Sequence, residues 1–320
     1  MKNLSFTALL LSVCFFTYSQ KSTIKSSVKN VETKVDSVLN LMTLEEKVGQ
    51  MIQYNGSWDL TGPASETGNK QKEERLKKGL VGSMLNVLSV EATEKAQRLN
   101  MENSRIKIPL IFGYDVIHGY KTIFPVPLGE TASWDMEAAE ESARIAALES
   151  VAEGVNWTFS PMIDISRDAR WGRIMEGSGE DPYLTSKVGV AKVKGYQGDD
   201  LSNPKTIAAT AKHFAGYGFA EGGKDYNAVN IGKNELHNIV LPPFHAVANA
   251  GVATFMNSFN TIDGIPATGS ESLQREILKG DWDWDGFIVS DWGSIAEMIP
   301  HGFARDKIHA AEIAVKAGSD

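Results

Sequence analysis

Cysteine is almost missing from this 320-residue chain: Cys14 is the only one. It lies in an apolar N-terminal stretch, so a mature protein cut downstream of it has no thiol, disulfide or cysteine nucleophile. Positive charge is also short. Lys and Arg total 32 against 40 Asp and Glu, a net charge of -8, which argues against a nucleic-acid partner. No polybasic run marks a membrane surface. The apolar stretch Leu4–Phe16 falls short of the roughly 20 residues a spanning helix needs. The 6 histidines show neither HxH nor HExxH spacing, and His237 and His245 fit a helix surface better than a ligand set. No Rossmann glycine fingerprint and no GxSxG elbow occur. Neither a metal nor a cofactor is expected.

What is present begins with a globular composition, 42% hydrophobic and 22% charged, able to bury a sizeable core. Lys2, the apolar stretch and the small residues Thr17 and Ser19 predict a secretory signal peptide over residues 1–19, cleaved after Ser19. That implies a periplasmic or secreted protein, with no membrane insertion after cleavage. Val13 is larger than the residue that lipid attachment at Cys14 would prefer. Residues 20–40 read as a leader, rich in Lys, Ser and Thr as far as Thr33. Thr43 and Glu46 form a capping box that opens a helix with Leu44, Val48 and Met51 on one face. The stretch SWDLTGPASETGNKQ then reads as loop.

A rhythm follows. Short apolar runs (LVGSMLN, IPLIFGYD, VNWTFSPMID, IAATAKHF, VATFMNSFN, GFIVSD) alternate with helix-spaced segments such as DMEAAEESARIAALESVAE, DPYLTSKVGVAKVKGYQ and KNELHNIVLPPFHAVANA. Alternation of this kind predicts a parallel sheet with helical crossovers, its strands covered on both faces. The runs end in Asn86, Asp115, Asp164, His213, Asn257 and Asp291. Each alone is an ordinary turn residue. Together they favour an α/β fold of the (β/α)8 TIM-barrel type, whose strands converge on one site with their carboxyl ends. An open doubly wound sheet would gather polar groups at a single switch point instead.

Asp291 ends an inner strand, and Trp292 beside it suits stacking on the apolar face of a sugar. Capping of the helix near Ser294 would explain the carboxylate but not the indole. Lys212 and His213 are adjacent, and adjacent strand side chains point to opposite faces. Spacing alone therefore turns one of them toward the helix layer; both reach one ligand only if the backbone is irregular, as with a non-proline cis bond. Asp115 stands at another strand end with His118 one turn on. SRDARWGR supplies three arginines and a tryptophan in a loop, where arginines are usually solvated.

The blocks FGYDVIHG, FPVPLGETASWD, SPMIDISRDARWGRIMEGSGEDPYL, KHFAGYGFAEGGKDYN, MNSFNTIDGIPAT and GFIVSDWGSI occur in order. Over residues 41–320 the chain resembles glycoside hydrolase family 3, and most of all its periplasmic β-glucosidase type. The resemblance implies that Asp291 is the catalytic nucleophile of a retaining exo-β-glycosidase. It implies that Asp115, Arg173, Lys212 and His213 hold the sugar, with both Lys212 and His213 facing it, and that Met256 and Trp292 line the pocket. The implied substrates are β-linked gluco-oligosaccharides or glucosides, attacked at the terminal β-D-glucose. A β-xylosidase or exo-glucanase of the same family is the alternative, or a non-catalytic carbohydrate-binding fragment.

Two departures accompany the resemblance. The family's usual acid/base is a glutamate on a second α/β sandwich domain, and this chain ends at AVKAGSD. The barrel is therefore expected to be incomplete at its C-terminus, the sandwich domain absent, and the acid to lie beyond Asp320. A branch that keeps an Asp-His pair on the barrel is disfavoured, because here Asp225 is followed by Tyr226.

Overall fold

The computed structural model describes residues 31–56 and 69–320. The signal segment 1–19, leader residues 20–30 and most of the predicted loop after Asn55 lie outside them. Residues 31–40, read as the end of the leader, are helical, and the helix runs on to Leu41.

Seven strands pair in the order of the chain, and every pairing is parallel. They are β1 (Gln53–Asn55), β2 (Ser83–Leu85), β3 (Ile111–Tyr114), β4 (Trp157–Thr158), β5 (Ala208–Phe214), β6 (Thr254–Asn257) and β9 (Phe287–Val289). Between the last two, β7 (Thr261–Ile262) and β8 (Ile265–Pro266) form a small antiparallel ribbon. A parallel sheet that runs in sequence order never reverses its winding, so it curls as a barrel does and has no switch point. Among the described residues it stays open between β1 and β9. Asp320 lies along β9: its backbone N–H donates to the Ile288 carbonyl at 3.0 Å, and its Oδ2 accepts from the Ile288 N–H at 2.9 Å.

Six strands fall inside the predicted apolar runs. The seventh, β1, is Gln-Tyr-Asn, too short and too polar to register as a run. The helices Val90–Asn103, Met136–Ala152 and Pro182–Gln197 start where Ser89, Asp135 and Asp181 accept a backbone N–H three residues on, as helix N-caps do. KNELHNIVLPPFHAVANA is not one regular helix. It widens into a π turn at Leu236–Val240 and restarts at Pro242, whose missing N–H cannot continue the ladder.

The first of the predicted helices, Leu44–Gln50, has its capping box, but its apolar face points outward. Leu44, Val48 and Met51 are exposed; the buried residues are Glu46 and Gly49. Close approach explains the reversal, since a Cβ on Gly49 would stand 2.5 Å from the Leu80 Cα.

The main core lies between sheet and helices, around Ile163, Ala209, Ala211, Phe244 and Phe255. Inside the curl, Leu85, Trp157, Phe159 and Met256 form a second cluster. There Trp157 Nε1 donates to Thr210 Oγ1 at 2.9 Å and Thr254 Oγ1 at 3.0 Å, so the indole is satisfied without water. Gly113 makes room for this layer: a Cβ there would meet Phe159 at 2.7 Å. The interior is thus plugged below, and the polar strand ends open above the plug.

Candidate active site

A cavity of about 680 Å³ opens at the carboxyl ends of the strands. Asp115, Arg173, Lys212, His213, Met256, Asp291 and Trp292 all line it. They come from five places: the end of β3, the loop after β4, β5, β6 and the end of β9.

Strand β5 explains how Lys212 and His213 share it. Thr210 and Lys212 point inward, while Ala209 and Ala211 pack in the outer core, so alternation would turn His213 outward too. The register shifts between Ala211 and Phe214, and the Lys212–His213 peptide is cis. His213 faces the cavity, and spacing alone is overturned at this residue. Phe214 then returns to the outer core.

Lys212 is buried and donates to Asp115 Oδ1 at 2.7 Å, which fixes an ammonium over the cavity. The three arginines of SRDARWGR separate by exposure. Arg167 and Arg170 stand 63% and 74% exposed, but Arg173 only 23%. Arg173 makes a two-pronged contact with Glu176, Nε to Oε1 at 2.7 Å and Nη2 to Oε2 at 2.8 Å. Its guanidinium lies 5.4 Å from the centre of the Tyr217 ring. Trp171 of the same motif stays below, buried, with Nε1 donating to Asp225 Oδ1 at 2.8 Å. His118 bonds the Phe124 carbonyl and is not part of the lining.

Asp291 Oδ1 accepts the Trp292 N–H at 2.6 Å. Oδ2 is buried without a hydrogen-bond partner; the nearest base, His213 Nε2, stands 3.3 Å away, long and poorly aligned for a bond. Burial raises the Asp291 carboxyl to about 6, against the lowering pull of Lys212 and Arg173. Trp292 is partly buried and packs against two apolar clusters, one that holds Phe159 and Met256 and one that holds Trp171 and Phe259.

Several groups were not singled out from the sequence. Gln53, Tyr54 and Asn55 of β1 line the cavity and were hidden with that strand. Asp164 was visible only as one polar strand end among six. Glu297 gave no signal; it is half-buried, and burial followed by the Asp291 charge raises its carboxyl. Among the described residues no group of three or more His, Cys, Asp and Glu could hold a metal, and no helix is long and apolar enough to cross a membrane.

An in-order parallel half-barrel whose strand ends carry Asp, Lys, His, Asp and Trp around one cavity has the layout of a barrel enzyme domain. Residues 43–320 match the Glycosyl hydrolase family 3 N terminal domain, and the chain belongs to that family. It is 40% identical to the periplasmic β-glucosidase of Salmonella typhimurium over 89% of this chain and 36% of that one. It is 31% identical to a β-xylosidase of Formosa agariphila over 100% of this chain and 40% of that one. A crystal structure of a β-glucosidase from Listeria innocua in complex with isofagomine superimposes with a TM-score of 0.84 at 43% identity. That match covers 90% of this chain and 40% of that one. The chain therefore spans about two fifths of the length of these relatives.

Proposed function

We propose that this chain supplies the nucleophile and the sugar pocket of a retaining exo-β-glycosidase that releases terminal β-D-glucose. One observation carries the proposal. Asp291, a carboxylate with one oxygen unpartnered, borders a cavity that also presents Lys212, Arg173 and an indole. Oδ2 of ionised Asp291 attacks the anomeric carbon as the bond to the leaving oxygen breaks, through an oxocarbenium-like transition state. Water then hydrolyses the glycosyl ester with net retention. Lys212 and Asp115 are placed to hold sugar hydroxyls, and Trp292 offers its face to the ring.

The leaving oxygen needs a proton from a second carboxyl group, about 5–5.5 Å from the nucleophile in retaining enzymes. The other carboxylates of the lining, Asp115 and Asp320, are held by Lys212 and Lys279. The acid is assigned to a further domain, in keeping with the greater length of the relatives. A leaving group that needs little protonation, such as an activated phenol, should then react best. Export to the periplasm fits the N-terminal segment and the name of the Salmonella relative.

Glucose is favoured by structures of the Listeria protein in complex with glucose and with laminaribiose. Xylose is the second reading, favoured by the β-xylosidase relatives. The test is to incubate the chain with activated aryl 2-deoxy-2-fluoro β-glucoside and β-xyloside, then to map any adduct by peptide mass spectrometry. An adduct on Asp291, formed faster with the glucoside, is expected. Faster labelling by the xyloside would reassign the sugar. Binding without any adduct would mean a carbohydrate-binding role only.

A further inference from the structure

Asp164 takes no part in the chemistry above, yet it is one of the most buried charged groups in the molecule, 1% exposed. It ends the segment in which Ile163 N donates to the Lys212 carbonyl at 2.8 Å and Lys212 N donates to the Pro161 carbonyl at 3.1 Å. Those bonds tie it to β5 and set its carboxyl behind the His213 ring. Its Oδ2 is 2.8 Å from the His213 backbone N and 2.8 Å from ring Nδ1. Its Oδ1 is buried with no partner at all. On the far side of the imidazole, Nε2 faces Asp291 Oδ2 at 3.3 Å. Three groups stand in file: Asp164, His213, Asp291.

We propose that Asp164 is a positioning residue that keeps a proton on Oδ2, donates it to His213 Nδ1, and so holds the ring with Nε2–H turned toward Asp291. The consequence for catalysis rests on the glycosidase reading; the proton arrangement does not.

Counting donors and acceptors separates the two possible arrangements. Were Asp164 ionised and Nδ1 protonated, the anionic Oδ1 would sit buried without a donor, a costly state. Nε2 would then present a lone pair to an oxygen that also has only lone pairs to offer. With the proton on Asp164 Oδ2, the atom left without a donor is a neutral oxygen rather than an anionic one. The hydroxyl oxygen accepts the His213 backbone N–H and donates to Nδ1, Oδ1 becomes a neutral carbonyl oxygen, and Nε2–H faces Asp291. The nucleophile then has the Trp292 N–H bonded at Oδ1 and an imidazole N–H, rather than a lone pair, facing Oδ2 at 3.3 Å.

The surroundings agree. Arg173, Lys212, Glu176, Tyr217 and Asp291 are the titratable or charged groups that face this file. Burial raises Asp164 to about 7. Burial, then Arg173 and Lys212, keep His213 well below its ordinary value and therefore neutral. An ion pair would move both partners the opposite way, so these directions accord with the donor and acceptor count. The rings of Tyr217 and Phe259, 5.0 and 6.4 Å from the imidazole, leave it little room to flip.

The test reads the tautomer directly. The full chain is labelled with ¹⁵N-histidine, and the His213 ring nitrogens are assigned by their loss in His213→Gln. Near neutral pH the proton is expected on Nε2, with Nδ1 bare. Asp164→Leu, which removes the only donor to Nδ1, should lose this tautomer. A proton found on Nδ1, or an unchanged ring in Asp164→Leu, would overturn the proposal. If the variants do not fold, the parent spectrum alone decides. On an activated aryl glucoside, Asp164→Leu should lower kcat about ten- to hundredfold, as expected for groups that orient a reactive neighbour. The spectrum needs no turnover, so failure to form the Asp291 adduct would sink the glycosidase reading and leave this one standing.

Discussion

Asp291 is held where burial opposes its charge, and that has a measurable consequence for stability. Its carboxyl is raised to about 6, above the ordinary unfolded value of roughly 3.9. A raised carboxyl means that the folded state binds the proton more tightly. Stability is then full below about pH 4 and declines as pH rises through about 6. Asp291→Asn should therefore be more stable than the parent near pH 7.5 by about 1–3 kcal/mol, while losing turnover. The gain should vanish near pH 4. Urea denaturation of both proteins at the two pH values checks it, and an equal gain at both would rule out the charge as the cause. The residues of this site were legible because they stand in short motifs at strand ends: Asp115, Lys212, His213 and Asp291. Arg173 was legible only through its motif, since nothing in SRDARWGR tells which of three arginines turns inward. Its low exposure, the Glu176 contact and its place in the cavity lining distinguish it. Asp164 was read as a strand end and no more, because its role depends on a ring nitrogen from a segment about fifty residues away, a relation that no local pattern encodes.

Elements were more legible than their faces. The helices Met136–Ala152 and Pro182–Gln197 are plain in the sequence, but how closely they pack is not. A Cβ on Gly195 would stand 2.2 Å from the Glu140 carbonyl oxygen and 2.6 Å from the Ala143 Cβ. Glycine in a helix interior weakens it by about 1 kcal/mol relative to alanine, so propensity alone favours Gly195→Ala. Contact says otherwise: the substitution should destabilise by about 1–3 kcal/mol through overpacking, seen as a lower urea midpoint. A higher midpoint would show that the two helices can separate without penalty. The helix Leu44–Gln50 teaches the same lesson. Apolar spacing at Leu44, Val48 and Met51 suggested its buried side, and a glycine chose the other. Periodicity reports a stripe of one chemistry, whereas close approach is decided by the smallest residue present. Strand β5 is the reverse case. Its alternation was legible and correct through Lys212, then failed at His213, where the backbone departs from regular geometry.

At the scale of the whole molecule, the in-order parallel sheet was legible from the alternation of runs, and its curl from the scatter of polar ends. Its shortest member, β1, was not. Protection of the backbone should follow position in this sheet. β5 and β6 are paired along both edges and pack under the main core, while β1 and β9 border the open flank. Amide hydrogen exchange should be slowest in Ala208–Phe214 and Thr254–Asn257, and faster in Gln53–Asn55. Equal protection in β1 would mean that the flank is covered in solution. Beneath the sugar pocket a second hollow of about 300 Å³ is lined by Ile111, Trp157, Phe287 and their neighbours. Met51, Gln53, Val289 and Asp320 border both spaces. Those four side chains are the wall the two spaces share, so a bulkier group at Val289 should narrow both rooms at once.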